Sequence, residues 1–191
     1  MASPGASADG EPEDGTGADR EPVGEDVVKD ICLRLLTDRA RTRAELTQAL
    51  RRRNVPDEVS HRVLDRFNEV GLIDDQAFAA QWVCSRHRYR GLGRRAIAVE
   101  LRRKGVSQET ANEALAEVGP ESERQRAVEL VRQRLRALPV AVPEDRVKAA
   151  RKLVGMLARK GYSPSIAYEV VRTELAARGA EEDELGTAEF D

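Results

Sequence analysis

AIAVELRRKGVSQETANEAL, residues 96–115, superimposes without a gap on two other stretches of the same chain, ELTQALRRRNVPDEVSHRVL at 45–64 and KLVGMLARKGYSPSIAYEVV at 152–171. In each, an apolar pair four residues apart (Ile97 and Leu101, Leu46 and Leu50, Leu153 and Leu157) leads into a basic turn. A residue suited to a left-handed cap follows (Gly105, Asn54, Gly161), then one apolar residue (Val106, Val55, Tyr162), then Ser107, Pro56 or Ser163. A second apolar pair stands at the same distance in all three: Ala114 and Leu115, Val63 and Leu64, Val170 and Val171. Cations stabilise the negative end of a helix, Gly or Asn takes positive φ cheaply, and Ser or Pro opens the next helix. The pattern therefore predicts one helix-turn-helix hairpin, used three times.

Working outward, apolar residues recur at three and four, and Ala, Leu, Arg and Glu dominate, so the body is expected to be all-α. A helix is predicted before each hairpin, over roughly Val27 to Thr37, Asp75 to Tyr89 and Ser122 to Leu138. The shift of 51 residues that relates the first two hairpins also carries Val27 and Ile31 onto Phe78 and Trp82, whereas the extra LPVAVPED makes the third unit less regular. The expectation is an elongated, slightly curved array of three-helix repeats over 27–73, 74–119 and 120–178, each leaning on its neighbours. Residues 1–26 and 179–191 are acidic, poor in large apolar side chains and expected to be disordered, with Leu185 and Phe190 as weak docking points.

Lys and Arg number 32 against 34 Asp and Glu, a formal charge of −2. The charges are segregated: the first 26 residues carry −7, the last 13 carry −6, and the body between them carries +11. A body of that sign favours polyanions or acidic protein faces. Two cysteines, Cys32 and Cys84, without a CxxC pattern, the absence of a cationic apolar leader and the lack of a membrane-length apolar run predict a reduced, cytoplasmic protein.

The segment WVCSRHRYRGLGRR, residues 82–95, draws most of the candidate chemistry. Its GLG lacks the context of a Walker or Rossmann loop and reads as a turn, with Gly91 closing one helix and Gly93 opening the next. Cys84 and His87 could share a helix face, but the other Cys and His, Cys32 and His61, lie in the first unit; no metal, cofactor or catalysis is expected. Asp74 and Asp75 read as helix caps. Phe78, Trp82 and Tyr89 fall within about 40° of one another on a helix, with Phe78 and Trp82 assigned to the core. The basic residues are the candidates for binding: Arg86, Arg88, Arg90, Arg94, Arg95, Arg102, Arg103 and Lys104, with a second group at Arg39, Arg41, Arg43 and Arg51 to Arg53. Arginine suits bidentate carboxylate or phosphate contacts.

The run GLIDDQAFAAQWVCSRHRYRGLGRRAIAVELRRKGVSQETANEAL, 71–115, strongly resembles the RecX family of recombination regulators, through its GLIDD, FA, W and ELRRKG elements at the family's spacing. The residues that carry the match are Gly71, Leu72, Asp74, Asp75, Phe78, Ala79, Trp82, Leu101 and Gly105, and the flanking repeats extend it over most of 27–178. The resemblance implies a monomer that is not an enzyme and takes part in DNA repair, homologous recombination and the SOS response. Such a protein binds the RecA-DNA filament along its groove and inhibits its ATPase, strand-exchange and coprotease activities. Single- or double-stranded DNA is the implied second partner. The competing reading is a direct DNA-binding protein whose hairpins act as helix-turn-helix readers. Few Asn or Gln at the recognition-helix starts and the acidic tails argue against it.

Overall fold

The backbone of residues 24–188 and the side chains of 24–179 are described in a computed structural model. The expected disorder of 1–23 and 189–191, and the docking roles of Leu185 and Phe190, fall outside those residues. Among the described residues the chain forms nine α-helices and no strand: α1 (Glu25–Asp38), α2 (Arg43–Arg51), α3 (Asp57–Glu69), α4 (Asp75–Arg90), α5 (Arg94–Arg103), α6 (Gln108–Ala116), α7 (Pro120–Leu135), α8 (Pro143–Arg159) and α9 (Pro164–Ala188). Helix α1 begins two residues inside the expected acidic tail, because Glu25 and Asp26 favour the positive end of a helix. Helix α9 runs past the boundary expected at 178 through an Ala- and Glu-rich stretch of high helix propensity.

The three hairpins close alike. Asn54, Gly105 and Gly161 have φ of 56°, 75° and 84°. The amide of each donates to the carbonyl three residues back (Arg51, Arg102, Ala158), and the next amide reaches the carbonyl five residues back (Val55 to Leu50, Val106 to Leu101, Tyr162 to Leu157) at 3.1–3.2 Å. This double closure satisfies the last carbonyls and buries the apolar residue that follows. Thr42, Asp74, Ser107 and Ser163 then cap α2, α4, α6 and α9 through their side-chain oxygens. In the third repeat the inserted segment turns at Val140, which is buried, and Pro143 opens a longer α8. The irregularity expected there is thus added helix.

The buried side chains form three clusters, one per repeat: Val28 to Ile73, Phe78 to Val118 and Ala127 to Val171. Each is a small, mainly aliphatic core with one buried aromatic ring (Phe67, Phe78 or Tyr162), and helix packing is concentrated inside the repeats. What joins the repeats is narrower and more polar. At the first joint Thr42 Oγ1 donates to the Lys104 carbonyl at 2.6 Å, Lys104 Nζ donates to Glu45 Oε1 at 2.8 Å, and the Arg43 amide donates to Asp75 Oδ1 at 2.9 Å. At the second, the Gly93 amide donates to the Lys160 carbonyl at 2.8 Å and the Arg94 amide to Glu123 Oε1 at 2.9 Å. The same two atoms are used twice: the carbonyl before the turn glycine, and the first amide of the preceding hairpin helix.

The turn glycines sit on that preceding helix. A Cβ on Gly105 would land on the Ala44 side chain, and one on Gly161 would land on Ala96. Gly93 faces the Gly161 backbone so closely that its own Cβ would lie 2.7 Å from the Gly161 oxygen. Asn54, at the matching turn of the first repeat, is exposed and carries no other repeat among the described residues, so a Cβ is tolerated there.

Two outcomes follow for stability. Gly105→Ala and Gly161→Ala should each cost about 2–4 kcal/mol in urea unfolding, from left-handed strain plus displacement of the joint, whereas Asn54→Gly should change stability by less than about 1 kcal/mol. Glu45 provides a pH test. Burial would raise its pKa, but hydrogen bonds from Lys104 and the Thr42 amide and the charges of Lys104 and Arg39 outweigh burial and hold it below the ordinary value of 4.5. A folded carboxyl with a depressed pKa stabilises the fold above its unfolded value and loses that contribution as the pH falls through the folded one. The stability gap between wild type and Glu45→Gln should therefore be widest near neutrality and shrink in urea melts below about pH 4.

Candidate partner-binding surface

The signature residues of the middle repeat build one cluster. Phe78 and Trp82 stack with centroids 5.4 Å apart. The Arg86 guanidinium lies 3.8 Å from the Trp82 centroid and the Lys104 ammonium 4.4 Å from it. Glu100 Oε2 accepts from the Trp82 indole at 2.8 Å and from Arg86 Nε at 2.7 Å. Lys104 carries the cluster across the joint to Glu45. Two of the expected binding cations, Arg86 and Lys104, are accordingly absorbed by the fold, with side chains 18% and 16% exposed. Desolvated cation–aromatic contacts of this kind contribute about 2 kcal/mol. Asp74 caps α4 as expected, while Asp75 caps a different helix by accepting from the Arg43 amide. Leu101 and Ala79 are fully buried, and Gly71 and Leu72 are exposed in the turn that leads to α4.

The end of α4 is held by the third repeat. Arg126 donates to the Arg88 carbonyl at 2.7 Å, Lys160 Nζ to the Arg90 carbonyl at 2.7 Å and the Tyr162 hydroxyl to the Gly91 carbonyl at 3.2 Å. Cations on the last carbonyls of a helix meet its negative end. Burial pushes the Tyr162 phenol well above its ordinary pKa, so it stays a donor. His87 is buried between the Leu92 carbonyl (3.1 Å) and Ser122 Oγ (3.3 Å), while Cys84 is exposed. Among the described residues no three His, Cys, Asp or Glu converge on a metal position. Tyr89, on the aromatic stripe, leaves the core at the helix end and is 83% exposed.

The arginines differ sharply between repeats. In the first, Arg39 pairs with Glu45 (3.3 Å), Arg43 with Asp65 (2.7 Å) and Arg51 with Asp57 (2.9 Å). A shift of 51 residues carries these cations onto Arg90, Arg94 and Arg102, and their partners onto Ala96, Ala116 and Gln108. The cations are kept and the carboxylates are gone. Among the described residues Arg90, Arg94, Arg95, Arg102 and Arg103 enter no salt bridge, and all but the half-buried Arg94 are exposed. Arg95 and Arg103 line a groove between the second and third repeats, joined by Arg159, which sequence reasoning passed over although it aligns with Arg103. Arg88 instead lines the α4–α6 groove with Glu113 and Glu117, so the eight expected cations do not make one surface.

Residues 29–67 match the model of the RecX first three-helix domain, and residues 74–115 that of the second. The chain is 57% identical over 164 residues to the regulatory protein RecX of Mycolicibacterium smegmatis, covering 85% of this chain and 87% of that one. It is 48% identical over 171 residues to that of Streptomyces coelicolor, covering 90% and 88%. A crystal structure of regulatory protein RecX superimposes with a TM-score of 0.68 at 26% identity, over 78% of this chain and 73% of the other. RecX from Lactobacillus salivarius gives 0.70 at 20% identity, over 80% and 97%, and shows the shared fold alone. Among the described residues no helix is long and apolar enough to cross a membrane. With both three-helix domains matched in tandem and relatives more than half identical over most of both chains, this chain belongs to the RecX family of regulatory proteins.

Proposed function

We propose that this chain is a non-enzymatic cytoplasmic regulator, mainly an inhibitor, of the RecA recombinase, and that it binds the assembled RecA-DNA filament through the arginines of its middle repeat. The observation that carries the reading is the loss of carboxylates opposite Arg90, Arg94 and Arg102, where the first repeat neutralises the matching residues. Arginines without carboxylate partners repel one another and gain no ion-pair stabilisation, so their value beyond the helix dipole lies in a polyanionic or acidic partner. A protein bound across neighbouring recombinase subunits would oppose the rearrangements of turnover, and so reduce ATP hydrolysis and strand exchange together. DNA inside the filament is a second contact for the same cations.

Replacing Arg90, Arg94 and Arg95 together by Glu should weaken inhibition of the recombinase's single-stranded-DNA-dependent ATPase by about tenfold or more. The triple Gln variant, which avoids repulsion with Glu123, should show a smaller loss in the same direction. A triple variant with the wild-type melting temperature and full inhibition would rule this surface out. Pull-downs with and without single-stranded DNA and a nonhydrolysable nucleotide should capture the protein on the assembled filament only. Binding to naked DNA alone, falling steeply with salt, would favour the direct DNA-binding reading.

A further inference from the structure

The two joints of the array provide a comparison within one molecule. Each leaves a groove on the side of the hairpin helices, the first lined by Glu45, Thr47, Gln48, Arg51, Arg103 and Lys104. That groove is polar and, apart from Arg103 which it shares with the second groove, internally neutralised: Glu45 serves Lys104 and Arg39, and Arg51 is held by Asp57. The second groove, about 640 Å³, has half-buried or buried Leu92, Val99, Val154 and Ala167 as its floor. Exposed Arg95, Arg103 and Arg159 stand at its rim beside Tyr168, which is 66% exposed.

The substitutions that separate the grooves can be read by position. Gln48 becomes Val99, Thr47 becomes Ala98, Glu45 becomes Ala96 and Ala44 becomes Arg95. Both joints engage the same two backbone groups, the carbonyl before the turn glycine and the first amide of the preceding hairpin helix, so joining the repeats does not demand an apolar floor with a cationic rim. Glu100, the carboxylate that lines the second groove, accepts from Trp82 and Arg86 through Oε2 and forms no salt bridge with the rim arginines. Without the carboxylate that Glu45 supplies at the first joint, Lys160 turns to the Arg90 carbonyl.

We infer that the groove between the second and third repeats is a docking site for a short acidic peptide segment of the recombinase that carries one bulky apolar side chain. The inference rests on the regulatory reading above and specifies the element of the partner that is bound. An apolar side chain fills the floor over Val99 and Val154 and covers the Tyr168 ring, while flanking carboxylates meet Arg95, Arg103 and Arg159 as charge-assisted, bidentate pairs. The N-terminus of α9, whose Pro164 and Ala167 line the groove, adds a positive dipole on the same side. A nucleic-acid strand fits less well. Its phosphates need cations along their track, whereas here the cations stand only at the rim and the floor offers no hydrogen bonds.

The test uses the full-length protein on overlapping immobilised peptides that span the recombinase. Two variants accompany the wild type: Val99→Gln with Tyr168→Asn, which copies Gln48 and Asn112 from the other repeats, and Arg95→Gln with Arg159→Gln. Binding should be confined to peptides that combine Asp or Glu with Leu, Ile or Phe, and each variant should lose about tenfold or more in affinity with an unchanged melting temperature. Filament pull-down is measured separately on the same proteins and should fall in parallel. If the wild type captures the filament but no such peptide, or if the variants bind peptides as the wild type does, the groove proposal is overturned and the regulatory reading stands. If peptides bind in the groove while the wild type fails to bind or inhibit the filament, the regulatory reading falls, and with it the assignment of the partner. An oligothymidylate whose binding is lost in both variants while peptides do not bind would make the groove a nucleic-acid site and overturn the proposal.

Discussion

A turn at positive φ that must also carry a neighbouring repeat has no room for a side chain, and the rest of this structure depends on that coincidence. Gly105 and Gly161 close their own hairpins, and the bare outer side of each turn is the seat on which the preceding repeat rests at Ala44 or Ala96. The carbonyl just before each glycine is tied to the N-cap residue of the preceding hairpin, through Thr42 Oγ1 at one joint and the Gly93 amide at the other. Local closure and assembly of the array are thus one event. Since the three cores are separate and small, these joints, more than any shared apolar layer, hold the repeats in register.

The signature of the middle repeat takes its meaning from the same joint. Phe78, Trp82, Arg86 and Lys104 are a stack of aromatic and cationic groups that ends on Glu45 of the first repeat. Asp75 completes it by capping α2. These residues are spaced along one stretch of chain, yet they serve the contact between two. Their charges are consumed by the fold, whereas Arg90, Arg94 and Arg102 lack the carboxylate partners that the first repeat supplies to the matching residues. Duplication of one hairpin therefore leaves a single set of cations in two settings: paired with carboxylates in the first repeat and, among the described residues, without salt bridges in the second.

Much of this was legible in residue order. The hairpins, their turn residues, the capping by Asp74 and Ser107 and the burial of Phe78 all follow from interactions within a few residues of one another, and such interactions leave a periodic trace. The role of Gly93 was half visible: it opens α5 as expected, but its lack of a side chain is required by the Gly161 backbone, 68 residues away in sequence. The position of Arg86 and Lys104 over Trp82 was not legible, because a run of cations looks the same in sequence whether it faces solvent or lies on a tryptophan ring. The alignment of Asp57 and Asp65 with Gln108 and Ala116 was present in the sequence, but its meaning required knowing which arginine each carboxylate reaches.

By itself, then, the sequence determined the helices, their turns, the threefold repetition and the basic character of the body, because each depends on local spacing and on the chemistry of single residues. The tertiary structure alone decided that Lys104 and Lys160 are spent on the joints, that the three cores stay apart, and that Arg159 and Tyr168 of the third repeat share a groove with Arg95 and Arg103 of the second. Those outcomes depend on contacts between residues some 50 to 70 positions apart, whose distances are set by how one repeat sits on the next.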